Sequence, residues 1–371
     1  MKIIQTDNIA AHYRAPIYQL MAKELGCDFC FGDSIGDDIK KMDYASVPTK
    51  VMEVHNVRFS HGITWQKGIT KLLSLDYDRI IYVGETRCLS TWWSLIRGRF
   101  CRNKKTYVWT HGWYGKESGF EKVMKKIFFR LPTGGVFLYG NYARELMIKE
   151  GFKPERLFVI HNSLDYDKQI EIRKLLSSKP IYNDHFHNND PNLFFVGRLT
   201  KQKRLDMALK AIALLKKRGE NYNMTFIGGG DMQKDLELLA NELGLKNNVW
   251  FYGPCYDEKV LGEMIYNADL CVAPGNIGLT SMHTLVFGTP AITHNDFPYQ
   301  MPEFEAIREG ETGTFFIRDS VESLAENIGK WFTEKSAKRE EVRKACMEEI
   351  DNYWTPQYQI EVLRKGLKQK E

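Results

Sequence analysis

Short runs of apolar residues alternate along the chain with longer segments in which apolar residues recur every three or four positions. The short runs are typical of buried strands, and the longer segments are typical of helices with one buried face. This alternation predicts parallel sheets covered by helices. Strands are predicted at residues 2–5, 79–83, 106–110, 135–139, 157–160, 193–196, 224–227, 249–252, 270–272 and 291–293. Helices are predicted at residues 16–25, 92–98, 119–131, 141–150, 205–218, 232–243, 258–268, 280–287 and 321–332.

A segment rich in Ser, Pro, Asn, Asp and His interrupts this pattern at residues 177–191 and is predicted to be a linker or surface loop. Two domains are expected for a chain of 371 residues. The predicted fold class is α/β, with two Rossmann-like, doubly wound parallel-sheet domains, residues 1–176 and 192–352, facing each other across a cleft. Ligands of such sheets bind beyond the carboxyl ends of the strands. A C-terminal helix within residues 353–371 is predicted to pack back on the first domain.

Composition narrows the classes of function. A net charge of +5 is too small for a typical nucleic-acid-binding protein, but it fits an anionic ligand or an anionic membrane surface. No apolar run is long enough to span a bilayer, and the N-terminal residues do not have the pattern of a signal peptide. A cytoplasmic location is therefore expected. The seven cysteines are scattered, which suits reduced thiols.

The most informative motif begins where a predicted buried strand ends, at Gly197. Arg198 and Lys203 follow, five positions apart. The glycine lets the backbone approach a ligand closely, and the two cations can converge on one anionic group. A diphosphate carries enough charge to engage both. For this motif alone, two solvated cations at a strand end are the simpler interpretation.

Three further features follow in the same half of the chain. Residues 226–231 form a strand that runs into a loop with Gly229 at its centre, and residues 268–274 form a strand that ends in proline. The loop 275–283 then leads into a helix. The backbone N–H groups at its start can add to the two cations in holding phosphate, and they belong to Gly278, Leu279 and Thr280.

Together these motifs resemble the nucleotide-sugar-binding domain of GT-B glycosyltransferases, in the large retaining group called family 4. The resemblance is close from Leu193 to about Phe332 and looser elsewhere. It implies a UDP- or GDP-sugar donor, a glycan or lipid-linked acceptor, and no cofactor or divalent metal. It gives catalytic roles to Arg198 and Lys203, and donor-binding roles to Gly197, Gly229, Gly278, Leu279 and Thr280.

The chain departs from the family at two positions. The family has a pair of glutamates eight positions apart; Gly275 stands at the first and His283 at the second. A neutral imidazole offers one donor and one acceptor, so His283 can hold one ribose hydroxyl, and Asn276 can take the sugar contact. A packing role for His283 is an equal alternative. The departure also leaves open a catalytically inactive pseudo-glycosyltransferase that serves as a sugar-nucleotide-binding or scaffold subunit.

In the first domain, His111 stands at a strand tip, where the resemblance implies a catalytic residue that supports sugar transfer. A strand-end histidine whose hydrogen bonds are satisfied by the backbone is the alternative. Three residues are predicted on the acceptor side: Arg14, Glu85 and Trp113. A surface position for Arg14 and a core position for Trp113 are the alternatives. The predicted function is sugar transfer in capsule, lipopolysaccharide or O-antigen synthesis.

Two basic amphipathic segments, residues 92–105 and 120–131, could lie on an anionic membrane. They predict a cytoplasmic protein that can be peripheral on the inner face of the plasma membrane. The alternative for each helix is an apolar face turned to the core.

Overall fold

The protein is described by a computed structural model that covers residues 1–34 and 40–368. The chain divides into two compact units. Unit 1 contains Met1–Asp165 together with the C-terminal segment that begins at Trp354, and unit 2 contains Tyr166–Tyr353. The division therefore falls earlier than the predicted boundary at residue 176.

The strands of the described chain are, in order, β1 Ile3–Asp7, β2 Cys27–Gly32, β3 Val51–Val54, β4 Asn56–Arg58, β5 Thr64–Gln66, β6 Arg79–Val83, β7 Lys105–Thr110, β8 Gly135–Leu138, β9 Leu157–Val159, β10 Asn192–Val196, β11 Asn223–Ile227, β12 Val249–Gly253, β13 Leu270–Val272, β14 Ala291–His294 and β15 Gly313–Phe316. The α-helices are α1 Ala15–Leu25, α2 Leu89–Gly98, α3 Gly119–Arg130, α4 Asn141–Lys149, α5 Tyr166–Arg173, α6 Ile181–Phe186, α7 Leu205–Lys217, α8 Gln233–Glu242, α9 Glu258–Asn267, α10 Thr280–Val286, α11 Val321–Lys335, α12 Arg339–Tyr353 and α13 Pro356–Lys368.

Unit 1 is built on a parallel sheet with the strand order β3-β2-β1-β6-β7-β8-β9. Successive residues of β1 point to opposite faces, so Ile3 joins a core with α1 and α13, whereas Ile4 joins a core with α2 and α3. Both faces of the sheet are therefore covered, as expected for a parallel sheet.

The C-terminal helix α13 packs on the sheet of unit 1. The hydroxyl of Tyr107 donates a hydrogen bond to the carbonyl of Gly366 at 3.2 Å. A Cβ at Gly366 would lie 2.8 Å from the ring of Phe137, so only glycine permits this close packing. Gln359 donates to the carbonyl of His161 at 2.8 Å. The last three residues of the predicted helix, 369–371, lie outside the described residues.

Unit 2 contains a parallel sheet with the strand order β12-β11-β10-β13-β14-β15. Every residue of its central strand β10 is buried, which explains the continuous apolar run in the sequence. The predicted linker 177–191 belongs to this unit and contains α6. Tyr182 is fully buried there, and its hydroxyl donates to the carbonyl of Met264 at 2.8 Å. This buried tyrosine anchors a segment whose polar composition suggested a loop.

Candidate functional site

The strand order of unit 2 reverses direction between β10 and β13. Such a reversal opens a crevice at the carboxyl ends of the strands, where open parallel sheets bind their ligands. The two loops that leave these strands are residues 197–204 and 273–279. Both belong to the motifs singled out in the sequence.

Glycines allow the neighbouring loops of this edge to touch. A Cβ at Gly228 would lie 1.9 Å from the carbonyl oxygen of Gly197, and one at Gly230 would lie 2.3 Å from that of Leu199. Gly197 itself has φ +144°, a conformation that favours glycine. The N–H of Leu199 donates to the carbonyl of Gly229 at 3.0 Å. Steric contacts therefore require glycine at positions 228 and 230 more strictly than at the predicted Gly229.

Two cations meet beside this loop. The Arg198 side chain is exposed, and its guanidinium forms no ion pair or hydrogen bond with residues 1–34 and 40–368. Lys203 is half-buried, and its ammonium donates to the carbonyl of Asn276 at 2.5 Å. Burial lowers the pKa of Lys203, the nearby Arg198 guanidinium lowers it further, and the buried Glu303 carboxylate opposes both effects. Two adjacent positive charges with a deficit of acidic partners favour an anionic ligand.

The loop after β13 closes tightly on the same turn. A Cβ at Gly275 would lie 2.1 Å from the carbonyl oxygen of Gln202, and the N–H of Gly275 donates to the carbonyl of Lys203 at 3.0 Å. The backbone at this position has no room for a side chain. The Oδ1 atom of Asn276 is buried and accepts no hydrogen bond from the described residues.

The start of α10 offers further hydrogen-bond donors. Among the described residues, no acceptor engages the backbone N–H groups of Gly278, Leu279 and Thr280. The side chain of Thr280 donates to the carbonyl of Val196 at 3.0 Å, which fixes the loop against the end of β10. The structure therefore brings the predicted amides and the predicted cations to the same crevice.

His283 lies one turn further along α10 and pairs with an acidic residue that the sequence did not reveal. Its Nε2 lies 3.0 Å from Oε1 of Glu258, which also accepts a hydrogen bond from Gln169 at 2.9 Å. Burial alone would raise the pKa of the Glu258 carboxyl, but these two hydrogen bonds hold it below the usual range. In the sequence, Glu258 looks like an ordinary acidic residue in the first turn of a helix.

In unit 1, His111 follows β7, and its ring lies 4.7 Å from the ring of Tyr139 at a tilt of 41°. Burial, with help from the positive charges of Arg14 and Lys125, lowers the pKa of His111 to about 4. Arg14 does not have the surface position considered as an alternative, because it pairs with Asp7 at 2.7 Å and both side chains are largely buried. The structure thus gathers a neutral imidazole and a buried ion pair at the carboxyl edge of this sheet.

The other two acceptor-side predictions have different outcomes. Trp113 is only 2% exposed and packs in the core against Phe129 and Phe152, so its face is not available to a sugar. That prediction is wrong, because its ring fills the space between α3 and the sheet. Glu85 is exposed after β6, and its carboxylate accepts a hydrogen bond from the N–H of Arg87 at 3.2 Å.

Within residues 1–34 and 40–368, no group of three His, Cys, Asp or Glu side chains is arranged to hold a metal ion. None of the helices in this part of the chain combines the length and the apolar character that crossing a membrane requires.

Residues 180–349 match the family model described as "Glycosyl transferases group 1". The putative glycosyltransferase EpsD of Bacillus subtilis is 31% identical over 136 residues, which are 36% of this chain and 34% of that protein. A second relative is a Campylobacter jejuni α-1,4-N-acetyl-D-galactosaminyltransferase named for a diNAcBac-PP-undecaprenol-linked glycan. It is 26% identical over 186 residues, 48% of this chain and 50% of that protein. The chain thus spans between a third and a half of these relatives.

Likeness in structure extends over the whole chain. The crystal structure of HepE from Anabaena in complex with UDP has a TM-score of 0.72 at 15% identity, covering 98% of this chain and 99% of that one. The chain has the GT-B fold. The predicted α/β class with two Rossmann-like parallel-sheet domains is therefore confirmed, and the predicted enzyme class agrees with the family match.

Proposed function

We propose that the chain is a retaining glycosyltransferase that moves a sugar from a UDP- or GDP-sugar to a glycan or lipid-linked acceptor in bacterial surface-polysaccharide synthesis. The observation that carries the proposal is the crevice of unit 2, where Arg198 and Lys203 lie together beside unpaired backbone N–H groups. The UDP bound to HepE and the undecaprenol-linked glycan in the name of the Campylobacter relative support a nucleotide donor and a lipid-linked acceptor.

The crevice suits the charge that develops during transfer. The bond between the anomeric carbon and the β-phosphate oxygen breaks, and the leaving diphosphate takes the electron pair. Arg198, Lys203 and the amides at residues 278–280 stabilise this growing negative charge, which is usually the largest catalytic contribution. The acceptor hydroxyl forms the new bond to carbon from the same face, and its proton passes to the leaving phosphate oxygen.

We assign the binding of the acceptor to unit 1. The buried His111 is neutral at physiological pH because its pKa is about 4, so the imidazole can accept a hydrogen bond from a sugar hydroxyl without carrying charge. The buried Arg14–Asp7 pair holds the beginning of α1 against the end of β1. We assign these residues to positioning the acceptor, with the exposed Glu85 at the same edge.

The two cations also lead us to propose transfer without a divalent metal. Two positive side chains and three amides can replace the charge that a metal would provide to the diphosphate. Transfer should therefore continue in excess EDTA. A loss of activity that added Mg²⁺ or Mn²⁺ restores would contradict this part of the proposal.

An exposed surface of unit 1 supports action at the cytoplasmic face of a membrane. Helices α2 and α3 are neighbours, since the rings of Trp92 and Phe128 lie 4.9 Å apart. Phe100, which follows the end of α2, is 84% exposed, and Phe120 on α3 is 76% exposed, with basic residues near both in the sequence. Aromatic side chains interspersed with Lys and Arg fit an anionic lipid surface. Replacing Phe100 and Phe120 by serine should weaken sedimentation with vesicles containing phosphatidylglycerol, and unchanged sedimentation would refute the assignment.

One observation favours a second candidate function. Because the backbone at Gly275 has no room for a side chain, this loop cannot supply a carboxylate to the donor sugar. A pseudo-glycosyltransferase that binds a sugar nucleotide without using it would need none. Such a protein would bind UDP or GDP, yet neither hydrolyse nor transfer any donor in a panel.

The proposed function is tested by turnover of a panel of UDP- and GDP-sugars with extracted lipid-linked and glycan acceptors. The wild-type protein should release UDP or GDP and produce a glycoside that retains the configuration of the donor. Arg198→Ala and Lys203→Ala should lose transfer, whereas Lys201→Ala, an exposed cation in the same turn, should keep it. Circular dichroism should show that all three variants remain folded. Full turnover by Arg198→Ala would refute the assignment.

A further inference from the structure

The Glu258–His283 pair is a polar cluster of unit 2 that has no role in the phosphate site described above. The two side chains join α9 to α10 through a 3.0 Å contact, and Gln169 on α5 adds a 2.9 Å hydrogen bond to the carboxylate. Gln169 is almost fully buried, whereas Glu258 and His283 each keep about a fifth of their side chain exposed, at 20% and 19%. The pair is therefore fixed by a buried side chain and remains partly accessible to solvent.

Its position relates it to the donor crevice. The N–H of His283 donates to the carbonyl of Leu279 at 3.1 Å, so His283 lies one helical turn from the unpaired amides, a rise of about 6 Å. Glu258 begins α9 directly after the loop that follows β12. Pro254 of that loop lies close to the glycine loop after β11, since a Cβ added at Gly229 would be 3.0 Å from its ring. The pair thus lies at the same carboxyl edge of the sheet as the glycine loop.

Packing alone does not account for a charged pair here. A Cβ at Gly262 on α9 would lie 3.0 Å from both Ile172 and Phe287, so apolar groups already bring α5, α9 and α10 together. Placing a carboxylate in a largely buried position costs free energy that hydrophobic residues would not. A site that is partly open and keeps its carboxylate ionised is better suited to binding hydroxyl groups.

We propose that Glu258, held in place by His283, binds the ribose hydroxyls of the donor nucleotide. The inference rests on the proposed function, because it assumes that a nucleoside diphosphate occupies the crevice. With the diphosphate at Arg198, Lys203 and the amides, the ribose is the next group of the nucleotide, about one helical turn away. A carboxylate accepts hydrogen bonds from both vicinal hydroxyls, which is how acidic residues bind ribose in other doubly wound sheets.

The test compares nucleotides that differ only in a ribose hydroxyl. Calorimetry measures the affinity of the full chain for UDP, 2′-deoxy-UDP and 3′-deoxy-UDP, and for the corresponding guanine nucleotides. The variants are Glu258→Gln, His283→Ala and, as a matched control, Glu263→Gln, whose residue lies on the same helix and pairs with Lys179 at 2.8 Å.

Wild-type protein and Glu263→Gln should bind the ribonucleotide at least about tenfold more tightly than either deoxy form, a difference of about 1.4 kcal/mol. Glu258→Gln should bind all three forms with affinities within about twofold of one another, while its affinity for the deoxy forms stays at the wild-type value. His283→Ala should reduce the same preference. Unchanged binding of the deoxy forms also shows that each variant is folded.

Two results would overturn the inference and leave the proposed function intact: a wild-type protein that does not distinguish the three forms, or a Glu258→Gln variant in which all three weaken equally, as expected for a purely structural contact. Failure of the wild-type protein to bind any UDP or GDP form would instead remove the proposed function, and the inference with it.

Discussion

Gly275→Ala is the substitution whose effect follows most directly from the structure. The added Cβ would lie 2.1 Å from the carbonyl oxygen of Gln202 and 2.8 Å from the carbonyl carbon of Lys203. Ordinary contacts are about 3.5 Å, so two backbone segments must separate by more than about 1 Å. They are held together by the 3.0 Å hydrogen bond from Gly275 to Lys203 and the 2.5 Å hydrogen bond from Lys203 to Asn276.

The cost can be estimated from these contacts. Overpacking of this kind costs about 1–3 kcal/mol, and the loss of a hydrogen bond adds about 1 kcal/mol. A total of about 2–4 kcal/mol should lower the melting temperature of a unit of this size by about 5–15 °C. Displacement of the Lys203 ammonium should also weaken UDP binding by about tenfold or more, because a hydrogen bond to a charged group contributes about 1.5–3 kcal/mol.

Differential scanning calorimetry and UDP titration measure both effects. Gly119→Ala is the matched control, since its Cβ meets nothing within 4 Å and its backbone is not left-handed. It should melt within about a degree of the wild type, because it adds only a methyl group in the first turn of a helix. Wild-type melting and UDP affinity in Gly275→Ala would show that the two loops do not pack as described.

Three further outcomes follow from buried groups. Burial lowers the pKa of His294 to about 4, so between pH 6.5 and 4 the unfolded chain binds more protons than the folded chain. The melting temperature should therefore fall as the pH falls below 6.5, and His294→Asn should reduce this dependence. An equal dependence in the variant would contradict the assignment. Trp113→Ala should lower the free energy of unfolding in denaturant by about 3–5 kcal/mol, whereas Trp93→Ala, at a half-exposed position, should lower it by less than about 0.5 kcal/mol. Equal losses would exclude a core position for Trp113. Of the seven free thiols, only Cys101 and Cys255 should react with a thiol reagent in the native protein, and rapid reaction of five or more would refute the described burial.

The fold was largely predictable because buried parallel strands produce continuous apolar runs. The run that ends at Val196 identified the central strand of unit 2, and the run that ends at Thr110 identified β7. Strand β2 was missed because it begins Cys27-Asp28 and offers no clear period, although its side chains are mostly buried. Helices α5 and α6 are short and polar, so contacts with the rest of unit 2 determine them more than local propensity.

The site was only partly predictable, because several of its features depend on residues far apart in the chain. The cations and amides stand in compact motifs and were found. The contact between Gly275 and Gln202 joins positions more than 70 residues apart, and no local pattern reports it. Glu258 acquires its meaning only beside His283. Arg14 resembles a surface residue until the fold places it on Asp7 and over the ring of Trp109.

The central claim is that the crevice between β10 and β13 is a pyrophosphate site formed by Arg198 and Lys203. Its most direct test is calorimetric titration of UDP and GDP into the wild-type protein, Arg198→Ala, Lys203→Ala and the Lys201→Ala control. The wild type and Lys201→Ala should bind at least one nucleotide equally well. Each of the other two variants should bind it at least about tenfold more weakly, because each loses a charge-assisted hydrogen bond of about 1.5–3 kcal/mol. Equal affinity in all four proteins, or no binding of either nucleotide by the wild type, would contradict the account.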